Sequence, residues 1–141
     1  MKNLYEVFDE FEEAKSKKDR MSIIEKNLSK VLVDVFELTY HPKCEWLLNE
    51  IPDGYKIAQD NIPGLSGNQL STELRRMYLF QKGNVAAEQL TPQKRNELLL
   101  QLLERLEPRE AEVVMGILNK DLGVRGLDYK FIKEAFPTLL P

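Results

Sequence analysis

Apolar residues recur at helical spacing along most of the chain, broken at intervals by residues that start or stop helices. Leu4, Phe8 and Phe11 form one stripe, which predicts an amphipathic helix from residue 3 to about residue 15. Ser16-Lys17-Lys18-Asp19 interrupts it, and Asp19 is the expected cap of a second helix through Met21, Ile23 and Ile24. A third helix is expected over Leu28 to Tyr40, with Val31, Leu32, Val35, Phe36 and Leu38 facing a core. His41-Pro42 ends it, and Pro42 suits the first turn of a helix carrying Trp46, Leu47 and Leu48. Residues 51–67 hold Pro52, Gly54, Pro63, Gly64 and Gly67, the composition of one long irregular loop.

Helical spacing resumes near Gln69, where Leu70, Leu74, Met77 and Tyr78 make a stripe that closes at Gly83-Asn84. Thr91-Pro92 is a strong start signal, a capping hydroxyl followed by proline, and Leu98, Leu99, Leu102, Leu103 and Leu106 follow. Pro108 opens the next helix, with Val113, Val114, Ile117 and Leu118 as its apolar face, and the short join at Glu107-Pro108 predicts an antiparallel pair. Asn119-Lys120-Asp121 ends that helix, and Gly123 and Gly126 bracket Val124-Arg125 in a turn. Asp128 is placed to cap a last helix bearing Phe131, Ile132, Ala135 and Phe136, which Pro137 stops. Strand-like alternation is absent, as are internal repeats. The expected fold is all-α: a single compact multi-helix domain over residues 1–141, with an acidic N-terminal segment at 1–19.

Composition narrows the class. A chain of 141 residues, 43% hydrophobic and 30% charged, suits a soluble helical protein. There is no apolar run of about 18 residues, so no membrane span is expected. The acidic, interrupted N-terminus is unlike a signal peptide. A lone Cys44 excludes an internal disulfide, and a reducing cytoplasm is the expected compartment. His41 and Cys44 are spaced His-x-x-Cys, but no second pair completes a zinc site or a cysteine nucleophile's triad. Neither a metal nor any other cofactor is expected.

The formal charge is −3 and the pI near 5.3, yet charge is segregated. Glu6, Asp9, Glu10, Glu12 and Glu13 crowd the first helix. Cations gather later, at Arg75-Arg76, Lys82, Lys94-Arg95, Lys120, Arg125, Lys130 and Lys133. Glycine-bearing turns let backbone N–H groups approach an anion, and cations beside them suit a phosphate.

Three blocks also carry a resemblance, in one order. They are IIEKNLSKVLVDVFELTYHPKCEWLLNEIP, YLFQKGNVAAEQL and LNKDLGVRGLDYKFIKEAFPTLLP. Together they resemble the N-terminal DNA-binding domain of ATP-dependent DNA ligases, the T-even phage type above all, over roughly residues 20–141. The resemblance implies an all-helical domain that grips duplex DNA by its backbone, without sequence preference. It implies DNA contacts at Arg75, Arg76, Lys82, Gly83, Asn84, Lys120, Gly123, Arg125, Gly126 and Lys130, with the Gly83 and Gly126 turns on one surface. The ligase nucleophile, lysine in a Lys-x-Asp-Gly context, is missing: Asp53-Gly54 follows Ile51-Pro52. The sequence also stops where a ligase continues into its nucleotidyltransferase domain. The expectation is a freestanding, non-enzymatic relative, accessory to phage DNA replication or repair and working in the host cytoplasm if phage-encoded. The alternative is an adaptor or inhibitor that keeps the fold and meets a replication, repair or host-defence protein.

Overall fold

The computed structural model describes residues 3–48 and 70–141; the irregular loop expected at 51–67 lies outside the described residues. Among those described there are eight α-helices, one 3₁₀ stretch and no strand beyond a single antiparallel bridge between Trp46 and Gln81. The helices are α1 (Leu4–Glu13), α2 (Lys17–Lys26), α3 (Lys30–Tyr40), α4 (Leu70–Glu73), α5 (Val85–Glu88), α6 (Pro92–Arg105), α7 (Pro108–Leu118) and α8 (Tyr129–Ala135). The mostly helical architecture expected from the sequence is therefore present.

Most helices begin where a side chain can take an orphan amide. Thr91 Oγ1 accepts from the Lys94 amide at 3.1 Å, and Asp128 Oδ1 from the Phe131 amide at 2.9 Å, as their positions predict. The second helix differs: its cap is Ser16, whose Oγ accepts from the Asp19 amide at 3.1 Å. Asp19 instead lies in the first turn, where its charge complements the helix dipole. α3 likewise starts late, capped by Ser29.

α7 is the hub. It packs against α1, α3 and α6, and Ala111, Val113, Val114, Ile117 and Leu118 are all buried. Fully burying side chains of this size contributes about 1.5–3 kcal/mol each before ordering costs. Aromatic contacts join the other elements: Phe8 stacks on Phe36 at 6.5 Å, and Phe11 meets Phe131 edge-on at 5.0 Å. These place α8 over α1, and α1 over α3. Leu99, Leu102, Leu103 and Leu106 complete the core from α6 and its C-terminal edge.

Two expectations fail for tertiary reasons. Residues 42–48 form no helix. The His41 and Cys44 carbonyls accept from Lys120 Nζ, at 2.8 and 2.7 Å, and Cys44 N closes only a single turn on His41 O at 3.0 Å. The segment is drawn out against residues 80–82, where Leu47 N donates to Phe80 O and Lys82 N to Glu45 O, each at 2.8 Å. The second failure is at residues 74–80, which form a 3₁₀ helix after the single α-turn of α4. A 3₁₀ helix repeats every three residues, so Leu74, Met77 and Phe80 share one face. Met77 and Phe80 are buried, and Tyr78, expected on the apolar stripe, is 47% exposed.

Candidate functional site

The two glycine turns have the same construction. In the first, Asn84 N donates to Gln81 O at 3.3 Å and Gly83 has φ of +90°. In the second, Leu127 N donates to Val124 O at 3.0 Å and Gly126 has φ of +84°. A bonded four-residue turn with positive φ at its third position is type II, a conformation that favours glycine there. Each turn thus carries a cation second and glycine third: Lys82-Gly83 and Arg125-Gly126. All four residues are exposed. The amides of Gly83, Arg125 and Gly126 donate to no acceptor among the described residues.

Both turns hang on one segment, residues 40–47. The first is held by the Trp46–Gln81 bridge and by Glu45 O accepting from Lys82 N. The second is held by Tyr40, whose hydroxyl donates to Leu127 O at 3.1 Å and accepts from Leu122 N at 3.2 Å. Burial raises the Tyr40 pKa, so the phenol stays neutral and keeps both roles. Asp121 adds a further restraint, its Oδ1 accepting from Gly123 N at 2.9 Å. The presented groups are consequently pre-positioned, which limits the ordering cost on binding.

Lys120 is not a free surface charge. It ends α7 in the left-handed region, with φ of 59°. Its amide donates to Ile117 O at 3.1 Å and the Asp121 amide to Gly116 O at 3.0 Å, a Schellman closure in which glycine is the usual residue. Its ammonium is committed to the His41 and Cys44 carbonyls, with Leu38 O at 3.5 Å. Desolvation lowers its pKa, partly opposed by Cys44 and Glu45. Lys120 therefore organises the site from beneath. It also lines, with Lys82, Glu45, Trp46 and Asn119, a cleft of about 490 Å³ between the first turn and the end of α7.

Other predicted contacts fall differently. Asn84 does not offer an amide to a ligand; its Oδ1 caps α5, accepting from Ala86 N at 3.0 Å and Ala87 N at 3.3 Å. Arg95 and Lys133, part of the cationic run, are internal fasteners. Arg95 Nη2 donates to Ala87 O and Leu90 O, and Lys133 Nζ to Pro137 O and Leu140 O. Arg75 and Arg76 are exposed, but Arg75 lines a separate depression with Asp34 and Glu37 of α3. Lys130 is exposed on α8, whose start is already closed by Asp128. Gly123 borders an acidic hollow lined by Asp9, Glu12 and Glu112. The anion-attracting end of the second turn is thus Arg125-Gly126 alone.

One cation was not expected there. Arg20, on α2, places its guanidinium carbon 5.5 Å from the centroid of the Phe11 ring, a cation–π contact, and lies against Gly126. Sequence spacing gives no signal for it, because 106 positions separate the two residues.

Fold and site together define a mostly helical protein that presents two cation–glycine turns from a common scaffold. The chain belongs to DUF6433, a family of unknown function, whose profile matches residues 7–124. No curated protein matches the sequence. Arg20 and the Lys82-Gly83 turn fall within the family match, while Arg125-Gly126 falls just beyond it. No helix among the described residues is long and apolar enough to cross a membrane, and none of their His, Cys, Asp and Glu side chains form a group of three suited to a metal.

Proposed function

We propose that this protein binds duplex DNA through the sugar–phosphate backbone, without reading sequence and without acting on the strand. The observation that carries the reading is the repeated turn: an exposed cation followed by a glycine with an unpaired amide, twice, on one scaffold. Phosphate oxygens accept well from both kinds of donor, and such contacts fix position while carrying no base identity. The resemblance to ligase DNA-binding domains supports the same reading, since its second and third blocks contain these two turns. Lys82 and Arg125 neutralise phosphates, the Gly83 and Gly126 amides set register, and Lys130, Arg75 and Arg76 add field around them. The weak exposed pairing of Lys82 with Glu45, at 3.5 Å, is readily exchanged for a phosphate.

Fluorescence anisotropy with labelled duplexes of several sequences, over a salt series, tests this. Affinity should fall steeply with salt as counterions are released. The double variant Lys82→Ala, Arg125→Ala should weaken binding equally on all sequences and flatten the log–log salt slope by about 2. Absence of binding at low salt, with the fold intact by circular dichroism, would refute the proposal.

A second reading rests on the acidic hollow between α1 and α7, where Asp9, Glu12 and Glu112 gather beside Arg109. That face suits a basic protein partner, such as a replication, repair or host-defence protein. It is the reading to adopt if DNA binding fails.

A further inference from the structure

We infer that Arg20 and the Arg125-Gly126 amides form a phosphate-binding site, with Arg20 its principal charged contact. The inference rests on the DNA-backbone reading for the source of the phosphate, though not for the site itself. Three features of Arg20 suit it to an anion. Its guanidinium has no carboxylate partner and donates to no acceptor among the described residues. Its Nε is fully buried and has no hydrogen-bond partner among the described residues, which leaves the guanidinium's charge without compensation from the protein. Its cation–π contact with Phe11, at 5.5 Å, restrains the side chain and reduces the rotamer entropy that a surface arginine loses on binding.

The turn lies close against this side chain. A Cβ on residue 126 would lie 2.6 Å from Arg20 Nη1 and 2.9 Å from Cζ, so a larger residue there would push the guanidinium aside. Beside it are the exposed, unpaired amides of Arg125 and Gly126 and the Arg125 side chain. Nearby carboxylates are already engaged: Asp128 caps α8, Asp121 accepts from Gly123 and Glu134 pairs with Lys17. A planar two-pronged donor next to unpaired amides fits a tetrahedral oxyanion better than a carboxylate, which one arginine alone would satisfy. The ligand class is a phosphate group, carried by a nucleic-acid strand or free in solution.

Heteronuclear NMR on the ¹⁵N-labelled full chain separates these sources, using inorganic phosphate in one arm and a duplex oligonucleotide in another. The Arg20 Nε–Hε and Gly126 amide resonances should shift and saturate in both arms, the duplex acting at lower concentration. By anisotropy, Arg20→Gln should weaken duplex binding roughly tenfold at low salt and flatten the salt slope by about 1. Arg20→Lys should restore the slope, because charge returns, while recovering only part of the affinity, because the planar fork does not. If the duplex binds yet leaves both resonances unmoved, and Arg20→Gln binds as wild type does, the site is refuted and the DNA reading survives. If inorganic phosphate shifts both resonances while no duplex binds, the site stands and the DNA source is overturned. Should Arg20→Gln fail to fold, the wild-type titrations alone decide.

Discussion

Lys120 offers the sharpest test of how the site is held. Two opposed effects meet at this residue. Its left-handed backbone costs about 1–2 kcal/mol relative to an ordinary helical or extended conformation. Against this, the ammonium donates to the His41 and Cys44 carbonyls at 2.8 and 2.7 Å. Hydrogen bonds to charged groups contribute about 1.5–3 kcal/mol each, and two give a gross 3–6 kcal/mol. Desolvation of the half-buried ammonium, seen in its lowered pKa, and replacement by water in the variant bring the net to roughly 2–4 kcal/mol. Lys120→Ala should lose that amount, since alanine keeps the strained φ and drops the clamp. Lys120→Gly also drops the clamp but relieves the strain; after glycine's extra unfolded-state entropy it should exceed the alanine variant by roughly 0.5–1 kcal/mol. Urea denaturation followed by circular dichroism reads both values. A glycine variant as stable as wild type would limit the clamp to about 0.5–1 kcal/mol, the net gain from glycine itself, and refute the larger figure. Equal stability of the two variants would mean that the strain only matches glycine's entropy cost of about 0.5–1 kcal/mol, and a less stable glycine variant that the strain is absent.

Two further outcomes follow from local chemistry. Burial, reinforced by Glu107 and partly countered by the Leu70 amide, holds Glu110 above its ordinary value of 4.5. A carboxyl whose folded pKa is raised contributes stability below its unfolded value and loses it as pH rises through the raised one. Glu110→Gln should therefore leave Tm unchanged in acid and raise it at neutral pH; a Tm gain independent of pH would contradict the assignment. Asn84→Ala removes the only side-chain cap of the four-residue α5 and should cost about 1 kcal/mol in urea titrations, with selective loss of amide protection at Ala86 and Ala87. Protection that is unchanged there would show that the cap is not what holds the helix.

What the sequence made legible follows the range over which its interactions act. Thr91 and Asp128 cap amides three positions ahead, so their helices could be read locally. The 3₁₀ stretch was half-visible: Leu74, Met77 and Phe80 repeat every third residue, a period easily taken for a helical stripe by adding Tyr78. The drawn-out segment after Pro42 was not legible, because a lysine 79 positions away takes His41 O. The same distance dependence explains the cations. All were visible as charges, but their availability depends on tertiary partners: Arg95, Lys120 and Lys133 are spent on carbonyls, whereas Arg20 has none.

The placing of those partners has a mechanical consequence. Residues 40–47 hold the first turn through Glu45 and Trp46, and the second through Tyr40 and the carbonyls of His41 and Cys44. The two turns therefore do not depend on each other directly; each depends on this short segment, which runs from the end of α3 into irregular backbone. Tyr40→Phe isolates one arm. It deletes the hydroxyl that bridges Leu122 and Leu127 but leaves the Glu45–Lys82 and Lys120 contacts in place. Amide exchange should quicken at Leu122 and Leu127, while Lys82 and Leu47 keep their protection. On the DNA reading the variant should bind more weakly through a faster dissociation rate, with its salt slope unchanged, since every cation remains and only their pre-positioning is lost. Loosening of both turns together would mean that Tyr40 supports the whole 40–47 segment. Loosening of neither would mean that the ammonium clamp alone fixes the second turn.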